Sequence, residues 1–143
     1  MSVGTSQVAQ AVKEVSDGAE DPQHVATVVG AFMKRQPTVG HFVASHSSEL
    51  GLEGVVLTLL HASVLARCIE LDAGRHLRLT SAVELDAAAR SKEDEEAFRS
   101  SEPHLDTYLG ENIASNDPTI GGKKRPVALG LLRVIARAFL DQP

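Results

Sequence analysis

The chain has no tryptophan, one tyrosine and four phenylalanines among 143 residues. Stacking platforms for single-stranded nucleic acid and cages for quaternary amines both need exposed aromatic faces, and this supply is thin. Phe32 and Phe98 match each other in a repeated phrase and are read as core. Cysteine is equally scarce. Cys68 has no partner for an internal disulfide and lies in an apolar run, so it reads as a small buried hydrophobe in a reducing compartment.

Basic excess is missing too: 14 Lys and Arg stand against 19 Asp and Glu, for a formal charge of −5. General nucleic-acid or anionic-membrane binding needs a basic surface, so neither partner is expected. Residues 1–21 carry no basic and apolar leader pattern. The longest apolar run, Val55 to Leu60, is far short of a membrane span. The expectation is a soluble cytoplasmic protein. Apolar content of 43% and charged content of 23% are ordinary for one globular domain.

What is present is a faint internal duplication. Ala31-Phe32-x3-Gln36-Pro37-x-Val39-x2-Phe42-Val43 recurs as Ala97-Phe98-x3-Glu102-Pro103-x-Leu105-x2-Tyr108-Leu109. Farther on, Val64-Leu65-Ala66-Arg67 is echoed by Val134-Ile135-Ala136-Arg137 at a slightly larger offset. The matched residues are parts of a packing unit, and neither half is expected to bury its apolar face alone.

Helical spacing dominates the chain, and no segment sustains strand-like alternation. Asp21-Pro22 supplies an N-cap and a first-position proline for a helix to about Arg35, which Gln36-Pro37 stops. A second short helix starts near Val39 and ends near 47–51. Residues 52–71 form the most apolar helix, without a charged side chain between Val55 and Ala66, and Gly74 suits its end. Thr80 or Ser81 caps the next helix, whose apolar side runs from Val83 to Phe98 past the acidic stretch 92–96. Two more helices are expected, from Pro103 to about 114 and from 126 to about 140, joined by a longer loop. The expected fold is all-α, a compact bundle of about six helices in two pseudo-repeated three-helix halves, near 21–74 and 80–143. Residues 1–20 are expected to be an N-terminal arm or a marginal helix, and the helices at 52–71 and 126–140 to pack together.

Candidate sites are few. The six histidines do not have ligand spacing. His41 and His46 would stand about 140° apart on a helix, and no Glu-x-x-His phrase occurs. No metal or cofactor is implied, and His61, inside the apolar helix, reads as a core or interface residue. Ser45, His46, Ser47, Ser48 and Cys68 offer no nucleophile elbow and no electropositive thiol setting, so no catalytic residue is assigned. Arg67 and Arg137, at matching places near helix ends, fit the helix dipole. The stretch 38–64 loosely has helix-turn-helix lengths, but its second helix offers almost no side chain that reads bases.

Two readings remain. The first is a non-enzymatic interaction or assembly module, self-associating or a subunit of a larger complex. Its expected interface is the charge-free helix, at Val56, Leu57, Leu60 and Val64. The second is a small-ligand-binding protein or minor enzyme that holds an anion on Gly121, Gly122, Lys123, Lys124 and Arg125. There glycines, cations and a helix start come together, although without the spacing of a P-loop.

Overall fold

The computed structural model describes residues 2–90, 94–113 and 119–141, with side chains assigned there except at 94 and 95. Parts of the expected acidic stretch, at 92–93, and of the longer loop, at 115–118, lie outside the described residues. The described residues form eight helices and no strand: α1 Thr5–Ser16, α2 Pro22–Arg35, α3 Pro37–Ala44, α4 Ser47–Ala73, α5 Ala82–Arg90, α6 Asp94–Ser101, α7 Pro103–Asn112 and α8 Lys124–Leu140. The all-α expectation holds.

α4 is the axis of the molecule. Its first turn ends at Gly51, whose φ of 76° and ψ of 165° break the helix and suit only a residue without Cβ. From Leu52 the helix runs unbroken to Gly74, which closes it in the left-handed conformation at φ 71°. Thr58, Leu59, Leu60, Ala62, Val64, Leu65, Cys68 and Ile69 are all buried, so this helix is covered on most sides. By length and composition α4 could cross a membrane, a property that the short run Val55–Leu60 does not convey. In this fold 67% of its most apolar stretch is buried inside the protein.

α8 lies along α4, as expected, with Leu132, Ile135, Ala136 and Phe139 in the core. Phe139 meets Phe32 of α2 edge to face, with ring centroids 6.5 Å apart. The helix contacts have a regular pattern. α4 packs on α1, α2 and α3, while α8 packs on α5, α6 and α7. α2 also packs on α3, as α6 does on α7. α1 reaches across to α7, and α5 reaches across to α3. This principal pattern is unchanged when α1–α4 are exchanged with α5–α8.

Two details depart from the expected six helices. Residues 1–20 contain α1, which packs closely on α4; Ala11 and Val15 within it and Val3 just ahead of it are buried. Its own pattern is weak, and tertiary contact supplies what local propensity does not. The Arg67 guanidinium fastens it through two hydrogen bonds to Glu14, at 2.9 and 3.3 Å. The helix expected over 80–98 is two helices. The spacing from Leu85 to Phe98 would place them about 140° apart on one straight helix, yet both are buried.

Capping matches the local sequence. Asp21 accepts from Gln23 N at 3.0 Å at the start of α2. Ser81 and Glu84 cap α5 reciprocally: Glu84 N donates to Ser81 Oγ at 3.2 Å, and Ser81 N donates to Glu84 Oε1 at 3.0 Å. Arg78 adds a two-pronged bond and, with Ser81, holds the Glu84 carboxyl below the usual carboxylate range.

Candidate interaction surface

The four residues expected at an interface separate into two pairs. Leu60 and Val64 are 3% and 0% exposed and belong to the core, which removes them from any surface. α4 turns them toward its packed neighbours, a direction that an all-round apolar helix does not reveal in sequence. Val56 and Leu57 are half-buried and face an open apolar groove of about 720 Å³ between α2 and the first half of α4.

α2 builds the opposite wall. Its helical spacing buries Val29 and Phe32 and leaves Val25, Ala26 and Met33 less covered. Val25, Val29 and Met33 line the groove together with Pro22 at the start of the helix. Gly30 opens the wall, because a Cβ added there would meet no heavy atom within 4 Å. Gly40 on α3 receives the Met33 side chain so closely that an added Cβ would stand 3.2 Å from Met33 Cγ. This contact seats Met33 in the groove wall. Leu52, the first residue after the Gly51 break, also lines the groove and is 80% exposed.

The groove's charged lining is acidic. Glu20 and Glu53 line it, both exposed, and neither carboxylate has an ion pair or hydrogen bond among the described residues. The other glutamates with described interactions are engaged inside the molecule. Glu14 binds Arg67, Glu84 binds Arg78, and buried Glu102 accepts from Val3 N at 2.8 Å.

The glycine–lysine loop is mainly an entry to α8. Lys124 N bonds Gly121 O at 3.2 Å and Arg125 N bonds Gly122 O at 3.3 Å, so these amides are used in the turn. Arg125 donates to Ile113 O at 2.6 Å and to Gly110 O at 3.5 Å, closing the C-terminal end of α7. That removes Arg125 from the expected anion set. Gly122 supplies a positive φ of 58°. Lys124 reaches toward Gly51, and its Nζ lies 3.4 Å from where a Gly51 Cβ would sit.

A polar cluster that the sequence did not single out sits at the far end of α4. Glu70 is 5% exposed, and its carboxylate accepts from Leu77 N at 2.9 Å. Arg67, His76 and Arg35 approach it at 3.7, 3.4 and 4.0 Å. Gln36 binds the same connector, donating to Arg78 O at 2.8 Å and accepting from Thr80 N at 2.9 Å. A cavity of about 360 Å³ lies between them, floored by Phe32. Together these side chains hold residues 76–80 against the bundle. Arg67 and Glu70 stand at i, i+3 on α4, but only the spatial return of the connector to α2 brings Arg35, Gln36 and His76 to them.

His61 is buried and joined to the Tyr108 hydroxyl at 2.8 Å, a core contact between α4 and α7. Burial pushes the Tyr108 phenol above its usual range, and burial likewise lifts the Cys68 thiol to about 12. A thiol so placed stays protonated near neutrality and is a poor nucleophile. Arg67 serves Glu14 and Glu70 rather than a ligand. Among the described residues no three of His, Cys, Asp and Glu come together as a metal-holding group. Comparisons with protein-family models, curated proteins and solved structures return no match for this chain.

Proposed function

We propose that this protein is a helical interaction module whose α2–α4 groove receives an amphipathic helix from another protein. The observation that carries this reading is an open apolar groove with Gly30 in one wall and two unengaged carboxylates in its lining. Grooves between two helices commonly receive a third, which buries the side chains of one face. The wall from Pro22 to Met33 is about 16 Å long, room for roughly three helical turns. A second copy of the chain fits less well. A two-fold contact through this face would bring the copy's two groove carboxylates to a groove whose charged lining is already acidic, on molecules that each carry a formal charge of −5.

Light scattering at micromolar protein tests the choice, together with a dye that fluoresces on apolar surface. The expected result is a monomer that binds the dye, with the signal reduced in Gly30→Leu, whose side chain would fill the groove. A dimer that dissociates in Gly30→Leu would assign the groove to self-assembly instead.

We also propose that α1–α4 and α5–α8 are copies of one unit. The exchange-symmetric contacts and the paired Gln36 and Glu102 positions support this, and an experimental structure in which the two quartets fail to superpose would refute it.

A further inference from the structure

We infer that the helix received by the groove is cationic, with an apolar stripe flanked on both sides by Lys or Arg. The inference rests on reading the groove as a docking seat and adds the chemistry of its partner. Glu53 stands on the α4 wall, and Glu20 stands just ahead of α2 on the other. A helix lying between them therefore meets a carboxylate from each side. Among the described residues no cation lines the groove and neither carboxylate is engaged; Lys124 lines the adjoining cleft beside Gly51 and Glu53 without an ion pair to Glu53. The apolar floor selects an amphipathic helix, since the partner must cover Leu52, Val56, Leu57 and Met33 while its charged flanks stay wet. Pairing at such a rim accelerates encounter and rejects partners of the wrong sign more than it deepens affinity, so its mark is salt dependence. An acidic helix with the same apolar stripe would place like charges on both walls.

The test uses the whole chain and two labelled helical peptides with identical leucine stripes, one flanked by lysine and the other by glutamate. Binding is read by fluorescence anisotropy at low salt and at about 0.5 M salt. The lysine peptide is expected to bind about ten-fold more tightly at low salt, as two exposed ion pairs allow, and the gap should close at high salt. In a Glu20→Lys/Glu53→Lys variant the preference should reverse, and Gly30→Leu should weaken both peptides. Circular dichroism confirms that these surface variants remain folded. Equal binding of both peptides, lost in Gly30→Leu, overturns the charge inference and leaves the groove reading standing. Unchanged lysine-peptide binding in the charge-reversed variant, whose net charge is also much less negative, shows that neither these carboxylates nor net charge carries the preference, and also overturns it. Absence of binding by either peptide, or binding indifferent to Gly30→Leu, overturns the docking seat itself.

Discussion

Gln36 and Glu102 hold the same backbone conformation at the same place in two helix–proline–helix phrases, with φ −132° and ψ 63° for Gln36 and φ −128° and ψ 61° for Glu102. Each amide bonds back to a phenylalanine carbonyl, Phe32 O at 2.8 Å or Phe98 O at 2.7 Å. Each carbonyl accepts from the following helix, at Gly40 N or Asp106 N. Both side chains are buried, and both clamp backbone from a distant segment. The difference between amide and acid fits what each segment offers. The connector presents a carbonyl at Arg78 and an amide at Thr80, which need a donor and an acceptor. Val3 presents an amide, for which an acceptor suffices.

Glu102→Gln should stabilise the protein at neutral pH. Burial raises the Glu102 carboxyl above its ordinary range, outweighing the hydrogen bond from Val3. A group raised in the folded state contributes stability that is complete below its unfolded pKa and is lost as pH rises through the folded value. At neutrality the ionised carboxyl is therefore a burden, and a glutamine oxygen still accepts from Val3 N. Thermal melts from pH 4 to 8 should show a rise of a few degrees at neutral pH that fades toward acid. A gain that persists undiminished at pH 4 would mean that ionisation is not its source.

The converse change, Gln36→Glu, should destabilise. It deletes the donor to Arg78 O and faces that carbonyl with a buried carboxylate, at a cost of about 1–3 kcal/mol. The loss should shrink toward acid, where a protonated carboxyl again donates. Amide hydrogen exchange should quicken at Leu77 and Thr80, the connector amides held by side chains.

Leu60 and Leu52 separate the core of α4 from its groove-facing side. Leu60→Ala removes a buried side chain and should cost about 2–5 kcal/mol in urea unfolding, seen as a lower midpoint at unchanged slope. Leu52→Ala should stay within about 0.5 kcal/mol of the parent while weakening peptide binding in the groove. If Leu52→Ala destabilises as much as Leu60→Ala, Leu52 is not a surface residue.

Much of the helical architecture was legible because caps, prolines and glycines act locally. Asp21-Pro22, Gln36-Pro37, Gly51, Gly74 and Ser81 all stand where the chain turns or a helix begins. The apolar richness of α4 was equally plain, but not which of its sides stays open. Neighbours far along the chain decide that. Leu60 and Val64 were therefore placed at an interface although they are core, and the α2 wall with Gly30 and Met33 was not connected to it. α1 was undervalued for a related reason. It buries only Ala11 and Val15 within the helix, and the long-range contacts of Glu14 and Val3 leave no periodic trace.

The loop before α8 supplies a final contrast. Arg125 bonds Ile113 O and Gly110 O, carbonyls at the end of α7 that the helix cannot satisfy itself. Arg125→Ala should therefore cost about 1–3 kcal/mol, as expected when charge-assisted bonds to partly buried carbonyls are lost. Arg125→Lys should recover only part of this, because an ammonium cannot present the planar fork that spans two carbonyls. Lys123→Ala, at an exposed N-cap position without a side-chain cap bond, should stay within about 0.5 kcal/mol of the parent. Urea unfolding of the three variants checks the order. If Lys123→Ala costs as much as Arg125→Ala, the cations of this loop stabilise the fold through general charge, and the specific closure of α7 by Arg125 is wrong.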